Sequence, residues 1–218
     1  MQQTLGTESG TPSERAHEFQ GKYLCVGPPG TGKTTWAARK VKQIVSLSPA
    51  RRDGSSPVSV CSLTRTAAAE LGSRDMLLPT NQIGTLHSLA YKSMDSPDIA
   101  ESFLKEWNEK AGAEKITESR NDDVDDINGI EPPITKTQGD KNYQMYSHYR
   151  AQMRDRGMWR ETVRLFADRW ESWKKSNNLV DFTDLIEICI DHVDAAPGDP
   201  SVIIADEAQD MSRLEQVL

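Results

Sequence analysis

The run Gly27-Pro28-Pro29-Gly30-Thr31-Gly32-Lys33-Thr34 follows a strand-like stretch, Lys22 to Val26, and leads straight into a helix-like one. No other feature constrains this chain as tightly. Glycines let the backbone fold back so that its N–H groups point inward at phosphate oxygens. Lys33 supplies a charge at the β- and γ-phosphates, and the Thr34 hydroxyl reaches a Mg²⁺ ion. The helix that starts at Thr34 brings its positive dipole end to the same spot. Strand, loop and helix in this order make a phosphate-binding P-loop. Gly27, Pro28, Pro29, Gly30, Thr31, Gly32, Lys33, Thr34 and Thr35 are its nucleotide-binding residues, with ATP and Mg²⁺ as expected cofactors. A glycine-bearing loop that matched by chance would lack the flanking strand and helix.

A second motif supplies carboxylates. Ser201-Val202-Ile203-Ile204-Ala205 is an apolar strand ending in Asp206-Glu207. This is the Walker B pattern: the strand carries Asp206 to the metal, while Glu207 orients and deprotonates the attacking water. Alone, a strand running into a polar turn carries little meaning; behind a P-loop it completes a site. Lys33 and Glu207 are therefore the expected catalytic residues, and Thr34 and Asp206 the metal ligands. The same carboxylates with a divalent ion could instead cleave phosphodiesters, which keeps a structure-specific DNA nuclease as the alternative chemistry.

The rest of the chain organises around these motifs. Its 218 residues suit one domain, or one domain carrying an insertion. Residues 1–18 read as a disordered tail. Strands alternate with helices over 19–92, with a helix from Thr34 to Leu47, a buried strand Val58–Leu63, and a short strand within Gln82–Leu86. That alternation predicts an α/β fold, a parallel sheet flanked by helices. Residues 93–178 show helices and loops but no convincing strand, a helical insertion, and 179–218 return to the α/β domain. Residues 95–131 hold twelve acids against four bases, and NDDVDDINGIEPP within them reads as a mobile loop. Residues 141–175 reverse the balance, with nine bases against four acids. Trp159, Val163, Phe166, Trp170 and Trp173 recur at helical spacing and predict a buried face. Tyr143, Tyr146 and Tyr149 beside Arg150 and Arg154 fit either base stacking or an ordinary amphipathic helix.

Net charge of −7 argues against a wholly basic nucleic-acid coat protein. No apolar run reaches membrane-spanning length, and the polar start is no signal peptide. Cys25, Cys61 and Cys189 lie far apart in apolar runs, as small buried hydrophobes of a reducing cytoplasm would.

Several blocks together resemble the first RecA-like domain of superfamily 1 DNA helicases of the UvrD/Rep type. SVCSLTRTAAAEL (59–71) is similar to that family's motif Ia, GTLHSLAYK (84–92) to its GTFHS-like block, LVDFTDLI (179–186) to its DFDDLL-type segment, and IIADEAQD (203–210) to its motif II. The helical middle falls where the family inserts its 1B subdomain. The resemblance spans about 20–218 and implies a RecA-like P-loop fold, incomplete at the C-terminus. It implies ATP hydrolysis coupled to single-stranded or forked DNA, with Thr64, Arg65, Thr85 and His87 on the DNA face, while Arg150, Arg154 and Arg160 offer a basic surface.

Two departures qualify this. The family's adenine-reading glutamine motif ahead of the P-loop is not recognisable. The sequence also ends at Leu218, before motif III, the arginine-bearing motifs and the second RecA-like domain. The resemblance thus implies poor turnover and no unwinding by this chain alone, with a second polypeptide, or a DNA-binding role inside a two-chain helicase, supplying the rest. In the family, the motif III strand lies between the P-loop and Walker B strands, so without it Asp206 would face Thr34 across a gap, unless the two strands close up, a neighbour fills the slot, or a partner supplies the rest.

Overall fold

The computed structural model describes residues 25–28, 30–48, 51–73, 78–117 and 137–218. Two compact units divide the chain: Met1–Ser93 with Asp194–Asp210, and Met94–Val193 with Met211–Leu218. The tail 1–18, the start of the run before the P-loop (Lys22 to Leu24) and the acidic loop 121–133 lie outside the described residues.

In the first unit, helix α1 (Lys33–Leu47) precedes strand β1 (Val58–Ser62), helix α2 (Arg65–Ser73), strand β2 (Ile83–Thr85), helix α3 (Leu86–Ser93) and strand β3 (Val202–Ala205). The three strands form one parallel sheet in the order β2-β1-β3. All five residues of the central β1 are buried, as expected of a parallel strand covered on both faces. Val58 and Val60 pack with Ala38, Val41 and Ile44 of α1, joined by Val202, Ile204 and Ile83 from the neighbouring strands. The apolar spacing of α1 therefore does what its periodicity predicts, and this is an α/β domain of the RecA-like P-loop class.

Polar side chains close the N-terminal end of the sheet. Gln82 is fully buried; its Oε1 accepts the Ser56 N–H at 2.6 Å and its Nε2 donates to the Ser56 carbonyl at 2.7 Å. Arg51 donates to the Gly198 and Asp199 carbonyls, each at 2.7 Å. With that end sealed, the C-terminal ends of the strands are left for chemistry, as in open α/β sheets generally.

The second unit is helical: α4 (Leu104–Lys110), α5 (Gln138–Ala151), α6 (Glu161–Asn177) and α7 (Phe182–His192), with 3₁₀ turns at Ala100–Phe103, Gly112–Glu114 and Arg156–Met158. An isolated parallel bridge, Ile99 to Val180, is its β pairing among the described residues. Val163, Phe166 and Trp170 line the buried face of α6, and Trp159 joins them from just ahead of the helix. Tyr146 and Tyr149 are buried in the same core, and the half-buried Tyr143 donates its hydroxyl to Glu101. Of the two readings open for these tyrosines, the structure takes packing: rings closed into a core cannot stack on bases.

A buried ion cluster anchors this unit. Asp181, 1% exposed, accepts from Lys174 Nζ at 2.5 Å, Arg150 Nη1 at 3.1 Å and Trp170 Nε1 at 3.0 Å. It also caps α7 through a reciprocal box with Asp184: the Asp184 N–H donates to Asp181 and the Asp181 N–H to Asp184, both at 2.8 Å. Burial alone would push the Asp181 carboxyl up, but Lys174 and Arg150 overrule it and hold it below the ordinary carboxylate range. The cluster draws residues 179–193 into the helical unit, whereas the sequence pattern groups them with the P-loop domain.

Candidate nucleotide site

The P-loop occupies the N-terminus of α1. Gly32 is the N-cap in the left-handed region, φ 82°, where a side chain would be strained. A Cβ on Gly27 would lie 2.7 Å from Thr31 Oγ1, so the loop closes this tightly only around glycine. Thr31 Oγ1 donates to the Pro28 carbonyl at 2.7 Å and fixes the bend. Pro29 lies outside the described residues. The helix start has no side-chain cap bond and no acid in its first turn. A helix N-terminus left in that condition favours an anion.

Lys33 folds back over the loop, its Nζ donating to the carbonyls of Gly27 at 3.0 Å and Pro28 at 3.3 Å. That places the ammonium at the mouth of the loop, held by neutral acceptors that phosphate oxygens can replace. Thr34, one residue on, donates its hydroxyl to Asp206 Oδ2 at 2.9 Å. No gap separates these two residues, in keeping with the closed-up alternative: the end of β3 and the first turn of α1 are in direct contact. A hydroxyl and a carboxylate meeting beside a phosphate cradle fit a Mg²⁺ site, since that ion binds through few protein oxygens and takes its other ligands from phosphates and water. Among the described residues no group of three or more His, Cys, Asp and Glu side chains offers a self-sufficient metal cage.

Glu207 follows with φ 55°, left-handed and unusual for a residue with a Cβ. The kink turns the chain out of β3 directly after Asp206, whose Oδ1 accepts the Glu207 N–H at 3.1 Å. The Glu207 carboxylate accepts from Gln209 Nε2. A strained backbone at the proposed base costs on the order of 1–3 kcal/mol and marks a position held for its geometry.

The remaining sequence candidates fall in different settings. Thr64 caps α2, its Oγ1 accepting the Ala67 N–H at 3.1 Å, and Arg65 is the first residue of that helix. Thr85 ends β2 and accepts the Ser88 N–H at 3.1 Å, so both threonines already cap helices. His87 lies half-buried in the first turn of α3. Thr64, Arg65 and His87 stand just beyond the C-terminal ends of β1 and β2 and Thr85 is the last residue of β2, all at the same end of the sheet as Asp206. Arg154 is exposed, 4.8 Å from the Tyr149 ring, and Arg160 is the exposed N-cap of α6. Arg150 is different. Its side chain is 10% exposed and ion-paired to Asp181, Asp184 and Glu187. Committed to three carboxylates, it is an internal tie and does not serve as a phosphate contact. Cys61 and Cys189 are buried, with burial pushing the Cys61 thiol up to about 11, whereas Cys25 is exposed, contrary to its apolar sequence setting.

A P-loop capped by Lys33, with Thr34 bonded to the Walker B aspartate at the C-terminal end of a parallel sheet, defines a P-loop nucleotide-binding domain. The chain belongs to the family described as AAA domain, whose profile matches residues 16–218. No curated protein and no solved structure matches it. No helix among the described residues is long and apolar enough to cross a membrane.

Proposed function

We propose that this chain is the ATP-binding, helicase-type P-loop ATPase domain of a DNA-processing system. The observation that carries the reading is the Thr34–Asp206 hydrogen bond at the uncapped start of α1, because it brings both expected metal ligands to the phosphate cradle. Backbone N–H groups of the loop bind the phosphates, Lys33 neutralises them, and Thr34 and Asp206 hold Mg²⁺. The ion would withdraw charge from the phosphate oxygens. Glu207 orients the attacking water and takes its proton. The motif Ia-like and GTLHS blocks support action on single-stranded or forked DNA, with Thr64, Arg65, Thr85 and His87 at the sheet end that also bears the nucleotide site.

Lys33→Ala tests the nucleotide half. A charge-assisted hydrogen bond contributes about 1.5–3 kcal/mol, so the variant is expected to bind Mg·ATP roughly 10- to 100-fold more weakly in a calorimetric titration. Equal affinity in both proteins would remove the P-loop from the reading.

For the DNA half, binding is expected to be modest and salt-sensitive. Replacing Arg154 and Arg160 together by alanine lowers the slope of log K against log salt by about 0.7–0.9 for each arginine–phosphate ion pair removed. An unchanged slope in the double variant moves the DNA surface to the residues around Thr64 and His87.

A further inference from the structure

The first unit contains a buried hydroxyl that its own fold does not use. Ser62, the last residue of β1, is 0% exposed, and its Oγ has no hydrogen-bond partner. The other buried serines nearby are engaged: Ser56 Oγ accepts the Val58 N–H at 3.1 Å, and Ser59 Oγ accepts from Gln82 Nε2 at 3.4 Å. Burying an unpaired hydroxyl is costly, and alanine would fill the position without that cost.

Its place in the sheet shows what it is for. Along β1, Val58, Val60 and Ser62 share one face, and Val58 and Val60 use that face to pack on α1. On β3, Val202 pairs in register with Val58, Ile204 with Val60 and Ala205 with Cys61. The Asp206 N–H continues this ladder by donating to the Cys61 carbonyl at 2.8 Å. One step further along the same register sets Ser62 beside Asp206, both on the α1 face at the C-terminal end of the sheet. Asp206 is the residue that meets Thr34 in the first turn of α1. On the other side of Ser62, Thr85 is occupied in capping α3. The unpartnered hydroxyl thus belongs to the row of side chains beneath the phosphate cradle.

We propose that Ser62 is a positioning residue of the metal–nucleotide site, its buried hydroxyl turning to donate to the Asp206 carboxylate once that side chain holds the divalent ion. The inference rests on the P-loop reading of the proposed function. Mg²⁺ binds through few protein oxygens, and a buried hydroxyl set behind an aspartate ligand suits the second oxygen of that carboxylate better than direct ligation. Outer-shell partners of this kind commonly change metal affinity by about tenfold or more.

The test uses the full chain, Mn²⁺ as a probe followed by electron paramagnetic resonance, and ATP titrated by calorimetry with and without EDTA. Ser62→Ala is expected to weaken Mn²⁺ binding to the ATP-loaded protein about tenfold. Its ATP affinity in EDTA should stay unchanged, and its metal-free melting temperature unchanged or raised, since an unpaired buried hydroxyl is gone. Ser62→Thr keeps the hydroxyl and should hold Mn²⁺ as the wild type does. Wild-type Mn²⁺ affinity in Ser62→Ala overturns the proposal, as does a parallel fall in melting temperature and metal-free ATP affinity, which would mark a purely structural serine. A wild-type chain that binds no ATP under either condition overturns the nucleotide reading itself, and this is seen before any variant is made.

Discussion

Glu207→Gln is expected to bind Mg·ATP as tightly as the wild type and to lose turnover by about 10²–10⁴-fold. The side chain lies one residue beyond Asp206, the proposed metal ligand, on a backbone held at φ 55°. The amide keeps the size and one acceptor oxygen of the carboxylate, so the loop and its hydrogen bond with Gln209 have little reason to rearrange. It cannot take a proton. The loss therefore falls on the chemical step and leaves the ground-state complex intact, a split between kcat and affinity that single-turnover hydrolysis and calorimetry resolve. Lys33→Ala behaves in the opposite way, since it weakens the nucleotide complex before any chemistry. Turnover at the wild-type rate in Glu207→Gln would place the base elsewhere. The two variants also separate the competing chemistries: Mg²⁺-dependent cleavage of forked DNA that requires Asp206 and Glu207 but survives Lys33→Ala would mean that phosphodiesters are hydrolysed at this site.

The P-loop was legible because a phosphate-binding turn demands particular residue types in contiguous order. Gly32 must adopt a positive φ, Lys33 must follow it at the first helical position, and Thr34 must lie in the first turn. Strand β1 was legible from Val58, Val60 and Cys61, and it is buried throughout although Ser59 and Ser62 interrupt its apolar run. What the sequence does not display is how residues far apart meet. Ser62 looks like any small residue in a strand, and only the register of β1 with β3 brings it to Asp206. Gln82 reads as an ordinary polar residue at a strand edge until Ser56 is found on its amide, twenty-six positions away.

Charge counting misled for the same physical reason. Residues 141–175 carry a basic excess, but a cation's availability depends on its partners. Arg150 and Lys174 are held by Asp181 and Asp184, which lie outside that window. Arg156 is paired within it, to Asp168 and Glu171. Contact between Thr34 and Asp206 was one of the alternatives that the family's strand order left open, and a 2.9 Å hydrogen bond joins the two residues here.

Asp181→Asn is expected to destabilise the helical unit by about 3–5 kcal/mol, the usual consequence of removing one partner from a buried charge cluster. The carboxylate receives Lys174, Arg150 and Trp170 while capping α7. An amide presents one acceptor oxygen and two unwanted donors to the same surroundings, leaving two buried cations short of charge. Asp184 and Glu187 still hold them, so the unit should fold in the variant, with a lower urea midpoint. The pH dependence has a definite sign. The folded carboxyl lies below its ordinary value, so its contribution is fully present above the unfolded pKa of about 3.9 and is lost as pH falls through the folded one. The wild type should therefore show an acid limb below about pH 4, and the variant should lack that part of it. Trp107, Trp159, Trp170 and Trp173 all belong to this unit, so tryptophan fluorescence reports its unfolding, with Trp36 as the contribution from the other. A variant with the wild-type urea midpoint and the wild-type acid limb would mean that Lys174 and Arg150 are satisfied by Asp184 and Glu187 alone, and that Asp181 serves only as a helix cap.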